Sequence, residues 1–120
     1  MEPTNPLYER YASREMAAVF SPRHRYVTWR RLWVTLAECQ AELGLPITSE
    51  QLAALRRVEG EIDFARVAEL ERATRHDVVA HLRHFAELAG DAGGVLHLGA
   101  TSAFLTDNAD VLLLRRRFDF

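Results

Sequence analysis

The stretch SPRHRYVTWRRLWVTLAECQAELGLP, residues 21–46, carries the longest helical pattern of the chain. Ser21 followed by Pro22 is typical of an N-cap and a first helical position, and Gly44 followed by Pro46 marks the end of the helix. Between these signals, apolar and small side chains recur at helical spacing and form one wide face: Trp29, Leu32, Trp33, Leu36, Ala37 and Leu43. Because such a face has to be covered by other elements, this stretch predicts a helical core element.

The flanking sequence predicts further helices. Residues 1–12 are expected to be irregular, and Ser13 is expected to cap a short helix that ends near Phe20. Thr48 with Gln51 three residues later forms a capping-box pattern for a helix to about Val58. Three more helices are predicted, over 63–71, from about 78 to 89, and from Thr106 or Asp107 onward, with an extended segment at 95–102. The predicted fold class is all-α.

Composition sets limits on the class of protein. The chain has 120 residues, of which 48% are hydrophobic and 27% charged, which is typical of a soluble globular domain or of part of a longer chain. A net charge of −2 gives no bulk electrostatic reason to expect nucleic acid or an anionic membrane as a partner. The single cysteine, Cys39, suits a reducing compartment, and neither a membrane span nor a signal-peptide core is present in the sequence. A cytoplasmic location is therefore expected.

Three charged residues in a row, Arg75, His76 and Asp77, stand where an apolar helical stripe begins. One interpretation is that Asp77 caps the helix while the other two side chains lie at its solvated start. The other interpretation follows from the positive end of the helix dipole, at which Arg and His are unfavourable unless an anion neutralises them. Backbone N–H groups and a guanidinium together form an anion site, so this triplet is a candidate for binding one.

A second pattern on the same helix allows a different chemistry. Asp77, His81 and His84 share one helical face, at spacings that can ligate a divalent metal. With His76, they are compatible with a small helical metal-dependent phosphohydrolase or metal-binding module, which needs further ligands that only His24, His97 and Asp107 can supply. The alternative is that His81 and His84 border the core and form local hydrogen bonds.

Two further clusters are weaker on local grounds. The turn that contains Thr101 and Ser102 offers backbone N–H groups and two hydroxyls, which can hold a carboxylate or a phosphate. Hydroxyls in a loop are also ordinary capping residues. Arg10 and Tyr11 lie in an N-terminal arm, where an Arg-Tyr pair alone indicates no function.

Taken together, these clusters resemble the adenylosuccinate lyase family of the fumarase/aspartase superfamily. The most specific segments are TRHDVVAH and HLGATS followed by TDN, and the first is not the usual pattern of the argininosuccinate lyases of the same superfamily. The resemblance covers nearly the whole chain in order, except the helices around 50–72, through the segments 5–16, 20–48, 75–84 and 95–115.

The resemblance implies an architecture. Residues 1–105 match the all-α N-terminal helical domain of the superfamily, and residues 106–120 match the start of a long helix of its central bundle. The ending RRRFDF departs from the smooth amphipathic helix of the family, and we interpret it as a truncation. The family forms homotetramers in which each active site takes residues from three chains.

The resemblance also implies a function. The family consists of carbon–nitrogen lyases of purine biosynthesis, which release fumarate from adenylosuccinate, giving AMP, and from the succinylated aminoimidazole carboxamide nucleotide, without a cofactor or a metal. Its general base, a loop serine, and its general acid, a histidine, match positions beyond residue 120, so the isolated chain is expected to be inactive. A structural helical module without activity is a further alternative. The resemblance places the following residues against the nucleotide substrate: Arg10, Tyr11, Arg75, His76, Asp77, Thr101 and Ser102.

Overall fold

The computed structural model describes residues 6–118, apart from the side chains of Tyr8 and Phe118. This part of the chain contains helices and no strand, so the all-α prediction is confirmed. None of these helices is long and apolar enough to cross a membrane. The elements in chain order are α1 (Pro6–Tyr11), α2 (Arg14–Val19), α3 (Pro22–Glu42), α4 (Ser49–Val58), α5 (Phe64–Thr74), α6 (Asp77–Ala89), a 3-10 helix (Gly90–Val95) and α7 (Ser102–Phe118).

Four helices begin where their capping residues predicted. The side chain at each N-cap accepts the backbone N–H three residues later, and this holds for Ser13, Ser21, Thr48 and Asp63. At the start of α4 the bond is reciprocal, because the Gln51 Oε1 accepts the Thr48 N–H at 2.9 Å. Such caps satisfy N–H groups that have no partner within the helix. The capping pattern therefore located these helices correctly.

Two of the predicted boundaries were wrong. Residues 6–11 form α1 instead of an irregular arm, while residues 1–5 lie outside the described part of the chain. The segment 95–102 is not extended, because the 3-10 helix continues to Val95 and turns follow it. Leu96, at the end of that 3-10 helix, is buried in the core. Its packing keeps this segment folded against the core, so the segment does not extend.

The start of α7 was also predicted too late. Thr101, and not Thr106 or Asp107, caps the helix by accepting the Phe104 N–H at Oγ1 over 3.1 Å. Leu105, at 0% exposure, belongs to an inward-facing stripe that continues through Ala109 and Leu113. Because that stripe begins before Thr106, burying it requires the helix to begin earlier.

The core forms around the long helix α3, as most of its apolar face predicted, although Leu43 is 82% exposed and does not belong to it. Trp29 and Trp33 are both fully buried, and Trp33 faces the ring of Phe85 from α6 at a centroid distance of 6.3 Å. Leu55 from α4 and Leu105 from α7 complete the same cluster. Helix α3 therefore fixes the positions of α4, α6 and α7, and with them the breaks between helices that carry the candidate site.

A buried arginine links α3 to the turn between α4 and α5. Arg30 is 0% exposed, and its Nη1 donates to the Val58 carbonyl at 2.8 Å and to that of Glu61. Its guanidinium carbon lies 4.9 Å from the centre of the Phe85 ring. Burial lowers the pKa of Arg30 to about 10, although the Glu61 carboxylate acts in the opposite direction. Arg30 thus supplies donors to carbonyl groups that the end of a helix leaves without partners.

Candidate functional site

The charged triplet lies at a sharp break between two helices. Helix α5 ends at Thr74, and Arg75 adopts a left-handed backbone with φ 56° while its N–H donates to the Glu71 carbonyl at 2.7 Å. A non-glycine residue in this conformation carries strain of about 1–3 kcal/mol that its surroundings must offset. Among the described residues the Arg75 guanidinium has no hydrogen-bond or ion-pair partner, and the side chain is exposed. It is therefore available to an anion.

His76 caps α6, which corrects the interpretation that Asp77 would do so. The Nδ1 of His76 accepts the Val79 N–H at 3.3 Å, in the position that an Asn or Ser oxygen usually takes. A neutral imidazole has one acceptor and one donor nitrogen, so the hydrogen of His76 belongs on Nε2. With the side chain 45% exposed, His76 presents an N–H donor at the break.

Asp77 stabilises the helix start without orienting the imidazole. It is the first residue of α6, and its Oδ1 accepts the Val78 N–H at 2.8 Å. The same oxygen lies 3.7 Å from the His76 Nδ1, which already serves as an acceptor, so no hydrogen bond joins the two side chains. The carboxylate instead faces the positive end of the helix dipole, where a negative charge is favourable.

Thr101 and Ser102 occupy the equivalent place at the start of α7. The Thr101 Oγ1 accepts the Phe104 N–H, which leaves its hydroxyl hydrogen to be donated outward. Thr101 is exposed and Ser102 half-buried at this N-terminus. Both predicted clusters near α6 and α7 thus share one arrangement, in which the acceptor atom caps a helix and a hydrogen remains for a ligand.

His97 is a feature that the sequence analysis considered only as a metal ligand. It adopts a left-handed backbone with φ 62°, and its Nδ1 accepts the Trp33 Nε1–H at 2.9 Å. Burial lowers the pKa of His97, which favours the neutral ring with its hydrogen on Nε2. No local sequence signal identifies this bond, because Trp33 and His97 lie 64 positions apart in the chain. Within residues 6–118, Arg75 and His97 are the two non-glycine residues with positive φ, and each lies at or near a break that carries predicted site residues.

The three clusters are not linked to one another by hydrogen bonds or ion pairs within the described part of the chain. Arg10 and Tyr11 are exposed at the end of α1, with Tyr11 at 78% exposure. Among the described residues, no hydrogen bond or ion pair joins this pair to the α5–α6 break or to the start of α7. Within residues 6–118 the three groups of donors are therefore not joined into one network by hydrogen bonds or ion pairs.

The metal-binding alternative gains no support from the fold. Among residues 6–118 there is no group of three His, Cys, Asp or Glu side chains arranged to hold a metal ion. The His81 ring stacks on the Tyr26 ring with 3.9 Å between the ring centroids. The His84 Nε2 accepts the Asp63 N–H at 3.0 Å. Both rings are at most 3% exposed, so they serve the packing of α6 in the way the alternative interpretation described.

The buried His81 makes stability depend on pH. Burial, followed by the charge of Arg30, lowers the pKa of His81 to about 4, whereas the pKa of a histidine in an unfolded chain is about 6.5. The unfolded chain thus binds a proton first as the pH falls, and stability is lost between about pH 6.5 and pH 4. From this residue we expect a loss of about 2 kcal/mol between pH 7 and pH 5.

Urea unfolding at the two pH values measures this loss. His24, His84 and His97 also have lowered pKa values and act in the same direction, so the matched control is His81→Gln, which removes one titrating group. The variant should lose clearly less stability on acidification than the parent chain does. An equal loss in both proteins would contradict the assignment of this effect to His81.

Fold and site together define a class: an all-α domain that presents imidazole, hydroxyl and guanidinium donors at the breaks between its helices. The chain is 45% identical over 119 residues to the adenylosuccinate lyase of Saccharomyces cerevisiae, covering 97% of this chain and 25% of that protein. It is 47% identical to the enzyme of Schistosoma mansoni over 92% of this chain and 23% of that protein, and 34% identical to that of Bacillus subtilis over 94% and 26%. No protein-family model matches the chain.

These similarities extend over almost the whole chain and agree with the resemblance seen in its motifs. The chain belongs to the adenylosuccinate lyase family. It spans about a quarter of the length of the curated relatives it matches.

Proposed function

We propose that this chain is the N-terminal part of an adenylosuccinate lyase, in which it contributes substrate-binding residues to a β-elimination. The whole enzyme would release fumarate from adenylosuccinate and from the succinylated aminoimidazole carboxamide nucleotide. The observation that carries the proposal is the 45–47% identity to adenylosuccinate lyases over at least 92% of the chain. The donors at the helix breaks support it, because both substrates carry a phosphate and two succinyl carboxylates.

The proposed roles follow from the N–H and O–H groups that remain free to donate hydrogen bonds in each cluster. His76 donates from Nε2, because Nδ1 already accepts the Val79 N–H. Thr101 and Ser102 donate hydroxyl hydrogens beside the positive end of α7 and bind a carboxylate. Arg75 and Arg10 bind phosphate or carboxylate through guanidinium forks, and Tyr11 lies beside Arg10 in α1. Asp77 holds the start of α6 in place for its neighbours.

These donors match the electronic demand of the elimination. Removal of a proton beside a succinyl carboxylate gives a carbanion whose charge spreads onto that carboxylate. Fixed donors around the carboxylate stabilise this charge, which lowers the barrier. The departing nitrogen takes a proton from a general acid, and the carbon proton goes to a general base. Neither of these groups is assigned to the 120 residues, so we propose that the chain alone has no activity.

Assembly brings the three clusters together in this proposal. No hydrogen bond or ion pair links them within residues 6–118, and a substrate with charged groups at both ends needs binding groups on more than one side. We propose a homotetramer in which residues of neighbouring copies complete each site, with residues 1–105 as the helical domain and α7 leading into a central bundle. The exposed apolar side chains Val111, Leu112 and Leu114 on α7 support such a contact.

The test is fumarate release from adenylosuccinate by the full-length protein that contains this segment. We expect activity without added metal or cofactor, and none from the 120-residue chain. A folded full-length protein that releases no fumarate would refute the proposed function. Stoichiometric bound metal that is required for activity would instead favour the phosphohydrolase alternative with His76, Asp77, His81 and His84.

A further inference from the structure

The turn at 96–101, which leads into α7, is bound to α3 by two side chains. The Gln40 Nε2 donates to the Leu98 carbonyl at 2.7 Å. The Trp33 Nε1 donates to the His97 Nδ1 at 2.9 Å. Trp33 and Gln40 are seven residues apart in α3, which is almost two helical turns, so they lie on the same face. This face of α3 therefore holds the turn at two neighbouring residues.

The backbone of this turn needs such contacts. His97 with φ 62° and Gly99 with φ 69° both adopt positive φ, and Leu98 lies between them. A backbone bond from the Ala100 N–H to the His97 carbonyl spans the turn at 3.3 Å. Positive φ is unfavourable for a residue with a Cβ such as His97, so contacts from outside the turn must offset it. The bond from Gln40 is one of these contacts.

Stabilisation of a strained turn explains Gln40 only in part. The Gln40 Oε1 is buried and accepts no hydrogen bond from the described residues. A buried amide oxygen without a partner lowers stability. An apolar side chain at this position would avoid that loss, but it could not donate to the Leu98 carbonyl. The amide is therefore better explained by the position that it gives to the turn.

The position of the turn sets the position of the proposed carboxylate-binding hydroxyls. Leu98 lies three residues before Thr101, whose Oγ1 caps α7 by accepting the Phe104 N–H. Ser102 follows as the first residue of α7. A shift of the Leu98 carbonyl moves the short segment that carries both hydroxyls. A displacement of binding groups by about 1 Å is enough to slow an enzyme reaction strongly.

We propose that Gln40 is a positioning residue for the lyase reaction: its amide fixes the turn at 96–101 and thereby holds the Thr101 and Ser102 hydroxyls against a carboxylate of the substrate. This inference rests on the proposed function. Trp33 shares the anchoring, but it also belongs to the buried core, so its replacement would change folding as well. Gln40 is half-buried, so its role can be tested separately from the core.

A double-mutant cycle in the full-length protein, measured by fumarate release from adenylosuccinate, tests the inference. Gln40→Met keeps the approximate length and volume of the side chain and removes the amide donor. We expect it to lower kcat/KM about fivefold or more in the parent, but about twofold or less in a Ser102→Ala enzyme, because both changes act on the same contact. The matched control Glu42→Met, at an exposed residue two positions further along α3, should leave kcat/KM unchanged.

A second variant separates the hydrogen-bond donor from folding. Gln40→Lys retains an N–H donor that can reach the Leu98 carbonyl, so it should restore kcat/KM to within about twofold of the parent. Thermal unfolding of each variant is measured alongside the kinetics, and the melting temperatures should stay close to that of the parent. If Gln40→Met does not fold, the kcat/KM of Gln40→Lys decides the question.

Four results would overturn the inference. They are an unchanged kcat/KM in Gln40→Met, the same factor of loss with and without the Ser102 hydroxyl, a loss in Gln40→Lys as large as in Gln40→Met, and an equal loss in Glu42→Met. In each case an active parent enzyme leaves the proposed function standing. A folded parent enzyme that releases no fumarate refutes both the proposed function and this inference.

Discussion

Replacement of Trp33 by alanine lowers the free energy of unfolding by about 3–5 kcal/mol, which is the expected result for a large aromatic side chain lost from a core. The Trp33 ring is 0% exposed and faces Phe85, so the deletion removes contacts at the centre of the cluster around α3. It also removes the N–H that His97 accepts at 2.9 Å. Urea unfolding monitored by circular dichroism measures the change.

Two controls separate volume from hydrogen bonding. Trp33→Phe keeps most of the apolar volume and removes the indole N–H, so it should cost about 1–2 kcal/mol. Leu114→Ala, at a leucine that is 50% exposed, should change the free energy of unfolding by less than about 0.5 kcal/mol. An average substitution costs about 1 kcal/mol. If the free energy of unfolding of the Trp33→Ala chain lay within about 1 kcal/mol of that of the parent chain, this result would contradict the core described here.

The second large effect concerns His76 in the full-length enzyme. His76→Ala should lower turnover at least tenfold, which corresponds to about 1.4 kcal/mol of transition-state stabilisation. The expected cause is loss of the Nε2–H donor that the bond from Val79 to Nδ1 leaves available. Steady-state kinetics of fumarate release from adenylosuccinate measures it.

His76 also caps α6, so the His76→Ala variant alone cannot separate a loss of substrate binding from a loss of folding stability. His76→Asn is the matched variant, because its Oδ1 can accept the Val79 N–H while the imidazole is absent. We expect His76→Ala to lose about 1 kcal/mol of stability and His76→Asn almost none, with turnover lowered at least tenfold in both. If His76→Asn restored full turnover, His76 would be a capping residue only.

The sequence predicted the fold well wherever local chemistry determines structure. The caps at Ser21, Thr48 and Asp63 form short-range bonds, and residue types alone specify them. The prediction of the first residue of α7 was wrong because that position depends on tertiary packing. Its position depends on burying Leu105 against α3, and spacing within the chain does not show which of several hydroxyl residues then becomes the cap.

The candidate site was predictable in its residue types and not in its geometry. Local pattern suggested an anion site at Arg75–Asp77, but it did not show that Arg75 adopts a left-handed backbone or that His76 displaces Asp77 as the cap. The bond between Trp33 and His97 joins residues 64 positions apart, so no local signal specifies it. In the proposed function the three clusters meet through neighbouring copies, and such contacts leave no pattern in the sequence of one chain.

The most direct test of the account compares kcat/KM for adenylosuccinate cleavage among variants of the three clusters in the full-length protein. Arg10→Gln, Arg75→Gln and Ser102→Ala change one cluster each, and Arg83→Gln is the matched exposed control. We predict a loss of at least tenfold for each cluster variant, about 1.4 kcal/mol, and almost none for the control. Cluster variants that keep the kcat/KM of the parent would show that these groups do not bind one substrate.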